Sequence, residues 1–497
     1  MTDDIGQMEE RTAWSGAPEK ILVWFIAATA ILWTMQCTLL QPVLGKDILE
    51  TVTWGSAWQW GHGKHPPLSG WIGYGIAALS GYSNFAMYLA APLFLAIGAF
   101  YVWKLAREFF DRYEAALSVL LLYTLFYYNP SSMKFCSHFV VAAFMPALAY
   151  YFIAGLKRQK IRDWLLFGFF SGLAILGKYA ALMVLFACLL YLLCDRERRK
   201  ALRQPGPWVG GLTALLVIAP HLEWLMRHDF CCFTHVETRI SDDPAPWYYF
   251  LLVAGTALLP LAVEALFLAV AWWMNRSEAG IRRESRREGL KIALFLTGVP
   301  AGMFIVIAAA GYDVVLMWFS FLASWTGMIA VALFPAGITP KIFRTVLMLT
   351  IFYTAAGLAA TTVDLMVKPR LRCHADPYEI ARRADDFYRS VRPGGTIPLV
   401  IGERWVAGVI QFYTPYHPQA NDMNDSVSLE PFRETLRSRG ALLIGTRGKF
   451  EKVMPELAGR VKFVKFPIVY RAPLGKEDSM DYWIAVYPGE EERPGKP

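Results

Sequence analysis

Residues 21–40, ILVWFIAATAILWTMQCTLL, form an apolar stretch without a charged side chain. A helix rises ~1.5 Å per residue, so a stretch of this length spans the ~30 Å hydrocarbon core of a bilayer. The rest of the chain shares this character, because 55% of its 497 residues are hydrophobic and only 18% are charged. A soluble protein of this size would need more charge on its surface. The sequence therefore predicts an integral membrane protein.

Similar apolar segments recur along the first three quarters of the chain. They predict an α-helical polytopic membrane protein with about 11 transmembrane helices. The predicted segments are 21–40, 84–104, 115–128, 136–155, 164–177, 179–194, 208–226, 247–273, 290–310, 313–335 and 342–364.

The basic residues lie in short loops between these segments, for example KRQKIR at 157–162 and DRERRKALR at 195–203. Short basic loops mark the cytoplasmic side of a membrane protein. With a cytoplasmic N-terminus, every such loop falls on that side and the C-terminal segment falls outside. The net charge of +8 is therefore a topology signal, and no nucleic-acid partner is predicted.

Three domains follow from this pattern: a cytoplasmic N-terminal tail at 1–20, a transmembrane domain at 21–367 and an extracytoplasmic α/β domain at 368–497. The tail lacks the basic segment and cleavage site of a signal peptide, so 21–40 is expected to remain as an anchor. The α/β domain is predicted from the strand-like runs TIPLVIG, ALLIGT, VKFVKFPIVYRAPL and DYWIAVYPG.

The first outer loop contains KDILETVTWGSAWQWGHGKHPPLSGW at 46–71. Asp47 and Glu50 are three residues apart, so a short helix would place both carboxylates on one face. There they would act as a general base or simply favour the start of the helix. The two prolines after His65 predict a stiff loop that would hold Lys64 and His65 in place.

The other outer loops add further ionisable side chains, which near a membrane mark a functional site by default. Converging cations suit a phosphate group, whereas snorkelling at the interface is the ordinary explanation for any single one. The candidate cations are Lys64, Lys134, Lys178, Arg227 and Arg239.

The tryptophans of the first loop, Trp54 and Trp60 among them, fit an aromatic belt or a stacking platform for a sugar. The histidines match no zinc-binding spacing, so no metal site is predicted. No nucleotide-binding motif is present, and no cofactor is predicted. A divalent metal ion stays an open alternative.

From Asp47 to Leu68 the chain has the pattern D-x-x-E-x-x-x-WG-x-x-x-x-WG-x-x-KHPPL. This pattern resembles the signature of bacterial GT-C glycosyltransferases of the dolichyl-phosphate-mannose–protein mannosyltransferase superfamily. SSMKFCSHFVVAAFMPAL, GLAILGKYAAL and PHLEWLMRHDF resemble later motifs of the superfamily, and GERWVAGVIQFYTPYHP resembles its outer-domain segment. Within the superfamily, WQWG and KHPPL are most similar to rhizobial-type transferases that add galacturonic acid to lipopolysaccharide core or lipid A. The lipid A aminoarabinose transferase is a more distant relative.

The resemblance implies a GT-C fold in the bacterial inner membrane, with an active site that faces the periplasm. It implies an inverting transfer of one sugar from a polyprenyl-phosphate carrier to an outer-leaflet glycolipid, either lipid A or lipopolysaccharide core. Its partners would be the polyprenyl-phosphate-linked donor, the glycolipid acceptor and membrane lipid.

The resemblance also implies roles for particular residues. Asp47 matches the catalytic base, and Glu50 would support it. The residues that would neutralise the leaving phosphate are Lys64, His65, Lys134, Lys178 and Arg239. The residues that would contact the acceptor or the sugar are Trp54, Trp60 and Glu237. Cys136 and His138 replace polar residues of the family motif, so the second polar catalytic group would be His138, Glu223 or Glu237.

Three other functions remain open at this point. A protein O-mannosyltransferase would use the same donor chemistry with a Ser or Thr acceptor. A transporter of lipid-linked sugars would normally show internal repeats and charges at mid-membrane. A sensor or structural membrane protein would leave the composition of the first outer loop unexplained.

Overall fold

The computed structural model describes residues 17–129, 134–233, 246–276, 286–312, 316–368, 372–475 and 477–489. The described chain is mostly helical and has a small β-sheet near its C-terminus. The helices before the sheet are α1 Pro18–Leu40, α2 Lys46–Ser56, α3 Leu68–Leu79, α4 Asn84–Arg107, α5 Arg112–Leu122, α6 Ser137–Arg158, α7 Ile161–Gly177, α8 Ala181–Leu193, α9 Arg196–Arg199, α10 Pro205–Arg227, α11 Pro246–Met274, α12 Arg286–Ala309, α13 Thr326–Leu333 and α14 Pro340–Val367.

Within the described residues, 7 helices are long and apolar enough to cross a membrane. They are Pro18–Leu40, Asn84–Arg107, Ser137–Arg158, Pro205–Arg227, Ala254–Met274, Arg286–Ala309 and Pro340–Val367. Shorter apolar helices are present at Leu68–Leu79, Ala181–Leu193 and Trp318–Leu333. The protein is therefore a multi-pass helical membrane protein, and each apolar segment picked from the sequence coincides with helical structure. The number of crossings remains a prediction.

The segment 115–128 is shorter as a helix than the sequence predicted. Helix α5 ends at Leu122, and Phe126–Tyr128 form a separate 3₁₀ turn. The Asn129 side chain explains the break, because its amide donates to the carbonyl oxygen of Tyr123 while its side-chain oxygen accepts from the Trp33 indole at 3.1 Å. This contact satisfies a terminal carbonyl that a continuing helix would have paired internally.

Close helix contacts depend on residues without bulky side chains. A Cβ atom built at Gly168 of α7 would lie 2.1 Å from the carbonyl oxygen of Gly210 in α10. At Gly98 of α4 it would lie 2.1 Å from the carbonyl oxygen of Ala142 in α6. Glycine at these positions lets the backbones approach as they do in membrane helix pairs.

The C-terminal residues fold around a 5-stranded sheet with the strand order β2-β1-β3-β5-β4. Strands β1, β2 and β3 are parallel, and β5 pairs antiparallel with both β3 and β4. The strands are β1 Leu399–Gly402, β2 Gln419–Asp422, β3 Ala441–Gly445, β4 Val464–Arg471 and β5 Glu477–Tyr487. The accompanying helices are α15 Pro377–Val391, α16 Arg404–Tyr413, α17 Arg433–Ser438, α18 Arg447–Val453 and α19 Pro455–Ala458.

Four of these strands lie where strand-like runs were identified in the sequence. Strand β2 was not predicted, because Gln419–Asp422 contains no β-branched or aromatic residue. Its Asn421 is buried and donates to the carbonyl oxygens of Asp422 and Asp425. The strand therefore depends on polar contacts that appear only in the folded chain.

Helix α16 docks the sheet onto α2 of the first outer loop. The Trp405 indole donates to the carbonyl oxygen of Leu44 at 3.3 Å, and the Tyr413 hydroxyl accepts from the Leu44 backbone at 3.0 Å. A Cβ atom at Gly408 would lie 2.7 Å from Cβ of Leu49. The two helices are therefore in direct contact.

We expect Gly408→Ala to lower the thermal stability of the protein, because the added methyl overpacks the contact with Leu49 and should cost about 1–3 kcal/mol. Gly448→Ala is the matched control, because Gly448 lies in α18 and nothing lies within 4 Å of its Cβ position. The measurement is the unfolding temperature of the detergent-purified variants by tryptophan fluorescence. Equal shifts for the two variants would contradict the tight docking of α16 on α2.

Candidate active site

Helix α2 carries the two carboxylates singled out in the first outer loop. Its apolar residues Ile48, Leu49 and Val52 are buried, so the helix is fixed against the rest of the fold. Asp47 lies in its first turn and is half-buried, and Glu50 is buried one turn later. The predicted short helix is present, and it places both carboxylates at the junction between the membrane part and the sheet.

Glu50 is held by two cations from distant parts of the chain. Its Oε1 lies 3.0 Å from Nζ of Lys64 and 2.8 Å from Nε of Arg404. The same Arg404 nitrogen lies 2.9 Å from Oδ2 of Asp422. We call Lys64, Glu50, Arg404 and Asp422 the charge bridge, because together they connect the first outer loop, α2 and the sheet.

The surroundings of Glu50 oppose its ionisation. Burial raises its pKa, and the neighbouring charges of Asp47 and Asp422 act in the same direction. The Arg404 guanidinium lowers the pKa and thereby counteracts part of this cost. Glu50 therefore needs its cationic partners in order to stay ionised.

Asp47 differs from Glu50 in its partners. Among the residues that the structure describes, no cation lies within ion-pair distance of the Asp47 carboxylate, whereas Glu50 has two. A half-buried carboxylate without a bound cation can accept a proton from a substrate hydroxyl. Of the two acidic side chains, Asp47 is the one with the free oxygen atoms that a general base needs.

A second cluster of polar side chains lies where α6 begins and α7 ends. Nζ of Lys178 lies 3.0 Å from Nε2 of His138, and the Ser320 hydroxyl lies 3.3 Å from Nδ1 of His138. Lys178 is buried, and its ammonium group lies 5.9 Å from the centroid of the Trp318 ring. We call Lys178, His138 and Ser320 the cation cluster.

Cys136 connects this cluster with the carboxylates of α2. Burial raises the pKa of its thiol, and the negative charges of Asp47 and Glu50 act in the same direction while Lys178 lowers it, with a net pKa of about 12. The carboxylates of α2 and the Lys178 ammonium group therefore both act on the same thiol.

The loop after α2 is rigid and packed. Trp54 is 4% exposed, and its ring lies parallel to His62 at 5.3 Å and edge-on to His65 at 5.6 Å. The His62 backbone N–H donates to the carbonyl oxygen of His65 at 3.0 Å, which closes the loop before the prolines. Burial lowers the pKa of His62 to about 3, so this side chain is neutral. The predicted stiff loop therefore also has a buried aromatic core.

The sheet contributes to this loop from its other side. Asp425 accepts a hydrogen bond from the Gly63 backbone and two from Ser428, at 3.0 Å from its backbone and 2.7 Å from its hydroxyl. The Ser428 hydroxyl lies 3.5 Å from Nδ1 of His62. The loop that carries Lys64 and His65 is thus held between α2 and the C-terminal sheet.

Other predicted site residues lie elsewhere. Lys134 is exposed, and Trp60 is 39% exposed and packs edge-on to Trp71 at 4.7 Å. Glu237 and Arg239 lie outside the described residues. Glu223 pairs with Arg227 on an exposed face of α10. Of the three candidates for the second polar catalytic group, His138 is therefore the one favoured among the residues that the structure describes.

Sequence reasoning missed Arg404 and Asp422. Both lie at the carboxyl ends of parallel strands, since Arg404 follows β1 and Asp422 ends β2. Arg404 stands in the stretch GERWVAGVIQFYTPYHP that was identified as family-like, which is the only signal the sequence offered for it. Among the described residues, no group of His, Cys, Asp and Glu could hold a metal ion.

Comparison with known proteins confirms the resemblance identified from the motifs. Residues 64–224 match the family model described as dolichyl-phosphate-mannose-protein mannosyltransferase. The matched segment includes Lys64, His138 and Lys178, and it begins after Asp47 and Glu50.

Two curated relatives come from Rhizobium johnstonii. The lipopolysaccharide core galacturonosyltransferase RgtA is 29% identical over 264 residues, which cover 50% of this chain and 52% of the relative. The lipid A galacturonosyltransferase RgtD is 27% identical over 266 residues, which cover 52% of this chain and 53% of the relative. The chain thus spans about half the length of the curated relatives it matches.

Among solved structures, the fold is similar to that of ArnT from Cupriavidus metallidurans. The structure bound to undecaprenyl phosphate has a TM-score of 0.60 and 13% identity, and the match covers 94% of this chain and 98% of that one. The apo structure has a TM-score of 0.58 and 16% identity, with 97% and 100% covered. At these identities the likeness establishes the fold.

We expect Arg404→Met to destabilise the protein by about 3–5 kcal/mol, because the Glu50 and Asp422 carboxylates would then stay buried without their shared guanidinium. In a Glu50→Gln background the same substitution should cost less, since one of the two stranded charges is gone. The measurement is the unfolding temperature of the single and double variants. Arg437→Met, at an exposed arginine of α17, is the control. If the stability losses of Arg404→Met and Glu50→Gln simply added up in the double variant, coupling through the charge bridge would be contradicted.

Proposed function

We propose that this chain, which has a GT-C fold and a segment of the dolichyl-phosphate-mannose-protein mannosyltransferase family, is a glycosyltransferase. In this proposal it moves one sugar from a polyprenyl-phosphate carrier to an outer-leaflet glycolipid, either lipid A or lipopolysaccharide core. The observation that carries the proposal is the Asp47 carboxylate, which has no described cation within ion-pair distance, together with the buried Lys178, whose Nζ lies 3.0 Å from Nε2 of His138. The relatives named for galacturonosyl transfer to core and lipid A support the acceptor class.

Such a transfer needs two protein groups, one that acts on the acceptor hydroxyl and one that acts on the leaving phosphate. Asp47 takes the proton of the acceptor hydroxyl as its oxygen bonds to the anomeric carbon. The bond from that carbon to the phosphate oxygen breaks at the same time, and the carrier leaves as a phosphate. Attack opposite the leaving group inverts the anomeric centre.

Lys178 is the main partner of the leaving phosphate in this proposal. Negative charge on the phosphate grows as the bond breaks, and a buried ammonium stabilises it more strongly than an exposed one. His138 and Ser320 hold the Lys178 side chain in position. Lys64 is already paired with Glu50, so a phosphate would share it, and His65, Lys134 and Arg239 stay predicted contributors.

Glu50 then acts as a positioning residue. Its ion pairs with Lys64 and Arg404 fix α2, and with it the helix turn that carries Asp47. Trp60, with its half-exposed ring beside Trp71, is the proposed sugar-contacting tryptophan, whereas the buried ring of Trp54 holds His62 and His65.

The proposed location follows from the donor. A polyprenyl carrier lies in the bilayer and presents its phosphate at the membrane surface, where the first outer loop leaves α1. We therefore propose a bacterial inner-membrane protein of about 11 crossings, with its active site and residues 368–497 in the periplasm. The ArnT structure bound to undecaprenyl phosphate supports a carrier of this type.

The direct test is expression in a bacterium with simplified lipopolysaccharide and a supply of the donor, followed by mass spectrometry of lipid A and core. A gain of one sugar on either glycolipid supports the proposal, and its mass increment identifies the sugar class. A gain on protein Ser or Thr would instead support an O-mannosyltransferase-like enzyme. Movement of lipid-linked sugar across the membrane without transfer would support a transporter.

We expect Asp47→Asn to reduce transfer by about 10²–10⁴-fold, because an amide cannot take up the acceptor proton. The yield and unfolding temperature should stay those of the parent protein. Glu223→Gln, which removes an exposed carboxylate of α10, is the matched control and should retain activity. Transfer by Asp47→Asn at the parent rate would contradict the assignment of the base.

We expect Lys178→Met to lower kcat/KM for the donor by about 10²–10³-fold, because charge on the leaving phosphate would lose its ammonium partner. Lys178→Arg should recover part of this loss, and the KM for the acceptor should change little. The exposed Lys134 serves as comparison, and Lys134→Met should have a much smaller effect. A selective rise in the acceptor KM would place Lys178 with the acceptor instead.

A further inference from the structure

A separate cavity of about 220 Å³ opens between the start of α2 and the edge of the sheet. Four cationic side chains line it, namely Lys46, Arg372, Arg404 and Lys449. Two acidic side chains, Glu403 and Asp422, line it as well. Sites for drug-sized ligands are ~300–1,000 Å³, so this cavity suits a single small polar group or one sugar ring.

The cations of this cavity are not all neutralised. Arg404 is paired with Glu50 and Asp422, and Lys449 lies 3.3 Å from Glu403. Arg372 and Lys46 have no carboxylate within ion-pair distance in the described part of the chain. The cavity therefore carries an excess of positive charge, which favours an anionic ligand.

The exposed Arg372 side chain of this cavity lies beside an aromatic ring. The Arg372 guanidinium lies 5.7 Å from the centroid of the Trp405 ring, and that ring is buried and tied to Leu44 through its indole N–H. Asn424 and Tyr482 add an amide and a hydroxyl to the lining. A guanidinium with neighbouring neutral polar groups is suited to a carboxylate or phosphate on a sugar.

The position of the cavity favours the acceptor over the donor. Lys46 lines the cavity and directly precedes Asp47, and Arg404 joins the cavity to Glu50. The donor phosphate is assigned to Lys178, at the junction of α6 and α7, whereas this cavity is walled by the sheet. A group bound here would be close to the proposed base and on the side away from the membrane helices.

We propose that this cavity binds an acidic sugar of the acceptor glycolipid, one that carries a carboxylate or a phosphate, and so orients the acceptor hydroxyl toward Asp47. The inference rests on the proposed function and names the acceptor's chemistry.

The test uses Arg372→Gln in the full-length protein, because Arg372 lies outside the proposed catalytic groups. Lys452→Gln is the control, since Lys452 is an exposed lysine on α18, the helix that carries Lys449. Acceptors are a core glycolipid, the same glycolipid after carboxyl reduction, and the same glycolipid after phosphatase treatment. Donors are a uronosyl and a neutral hexosyl polyprenyl phosphate.

Arg372→Gln should raise the KM for the intact acceptor by about tenfold or more, with kcat and the donor KM unchanged. Removal of the recognised acidic group should raise the parent KM similarly, and Arg372→Gln should then add nothing. An unchanged acceptor KM, or an equal effect on every acceptor, would overturn the proposal. A rise confined to the KM of the uronosyl donor would also overturn it, because the cavity would then bind the donor sugar and not the acceptor.

Direct binding separates this inference from the proposed function. The delipidated acidic core oligosaccharide should bind the purified parent protein and the Lys452→Gln control, and bind Arg372→Gln about tenfold more weakly or worse in calorimetry. This result would support the cavity even if no sugar transfer were detected. Equal binding by all three proteins would overturn the inference while leaving the transferase proposal intact.

Discussion

The Glu50 carboxylate receives its two cations from opposite directions: Lys64 from the loop that follows α2, and Arg404 from α16 of the sheet. A buried charge is tolerated only when it is paired, so α2, its loop and the sheet must assemble together for this charge to be satisfied. At the contact between Gly408 and Leu49, helix α16 packs directly against α2. The C-terminal sheet is therefore a structural part of the candidate site, because its helix α16 supplies Arg404 to the Glu50 carboxylate of the first outer loop.

This assembly gives two neighbouring carboxylates different chemistry. Glu50 is buried and bound by both cations, and Asp47, one turn earlier, keeps its oxygen atoms away from any described cation. The ion pairs of Glu50 thus fix α2, the helix whose first turn also carries Asp47.

Hydropathy and short motifs located the helices and most strands, because apolar length and alternation are local properties of the chain. They also singled out Asp47, Glu50 and Lys178 as candidate site residues, because ionisable side chains are unusual beside a membrane. Arg404 and Asp422 escaped prediction because an arginine and an aspartate after short strands are ordinary until the sheet docks on α2. The end of α5 was misjudged for a similar reason, since the contacts of Asn129 that stop the helix are made only in the folded protein.

The proposed transfer uses two reactants, and the structure offers a different group of polar side chains to each. Lys178 caps the carboxyl end of α7, where the helix dipole favours a positive charge, and it is buried among membrane helices. In the proposed transfer, the carrier phosphate would meet the Lys178 side chain at this end of α7. The sugar head group of the proposed glycolipid acceptor would approach past the polar edge of the sheet, where Arg404 and Lys46 lie. Because Lys46 directly precedes Asp47, an acceptor on this side would reach the proposed base, whereas the leaving phosphate is assigned to Lys178 on another helix.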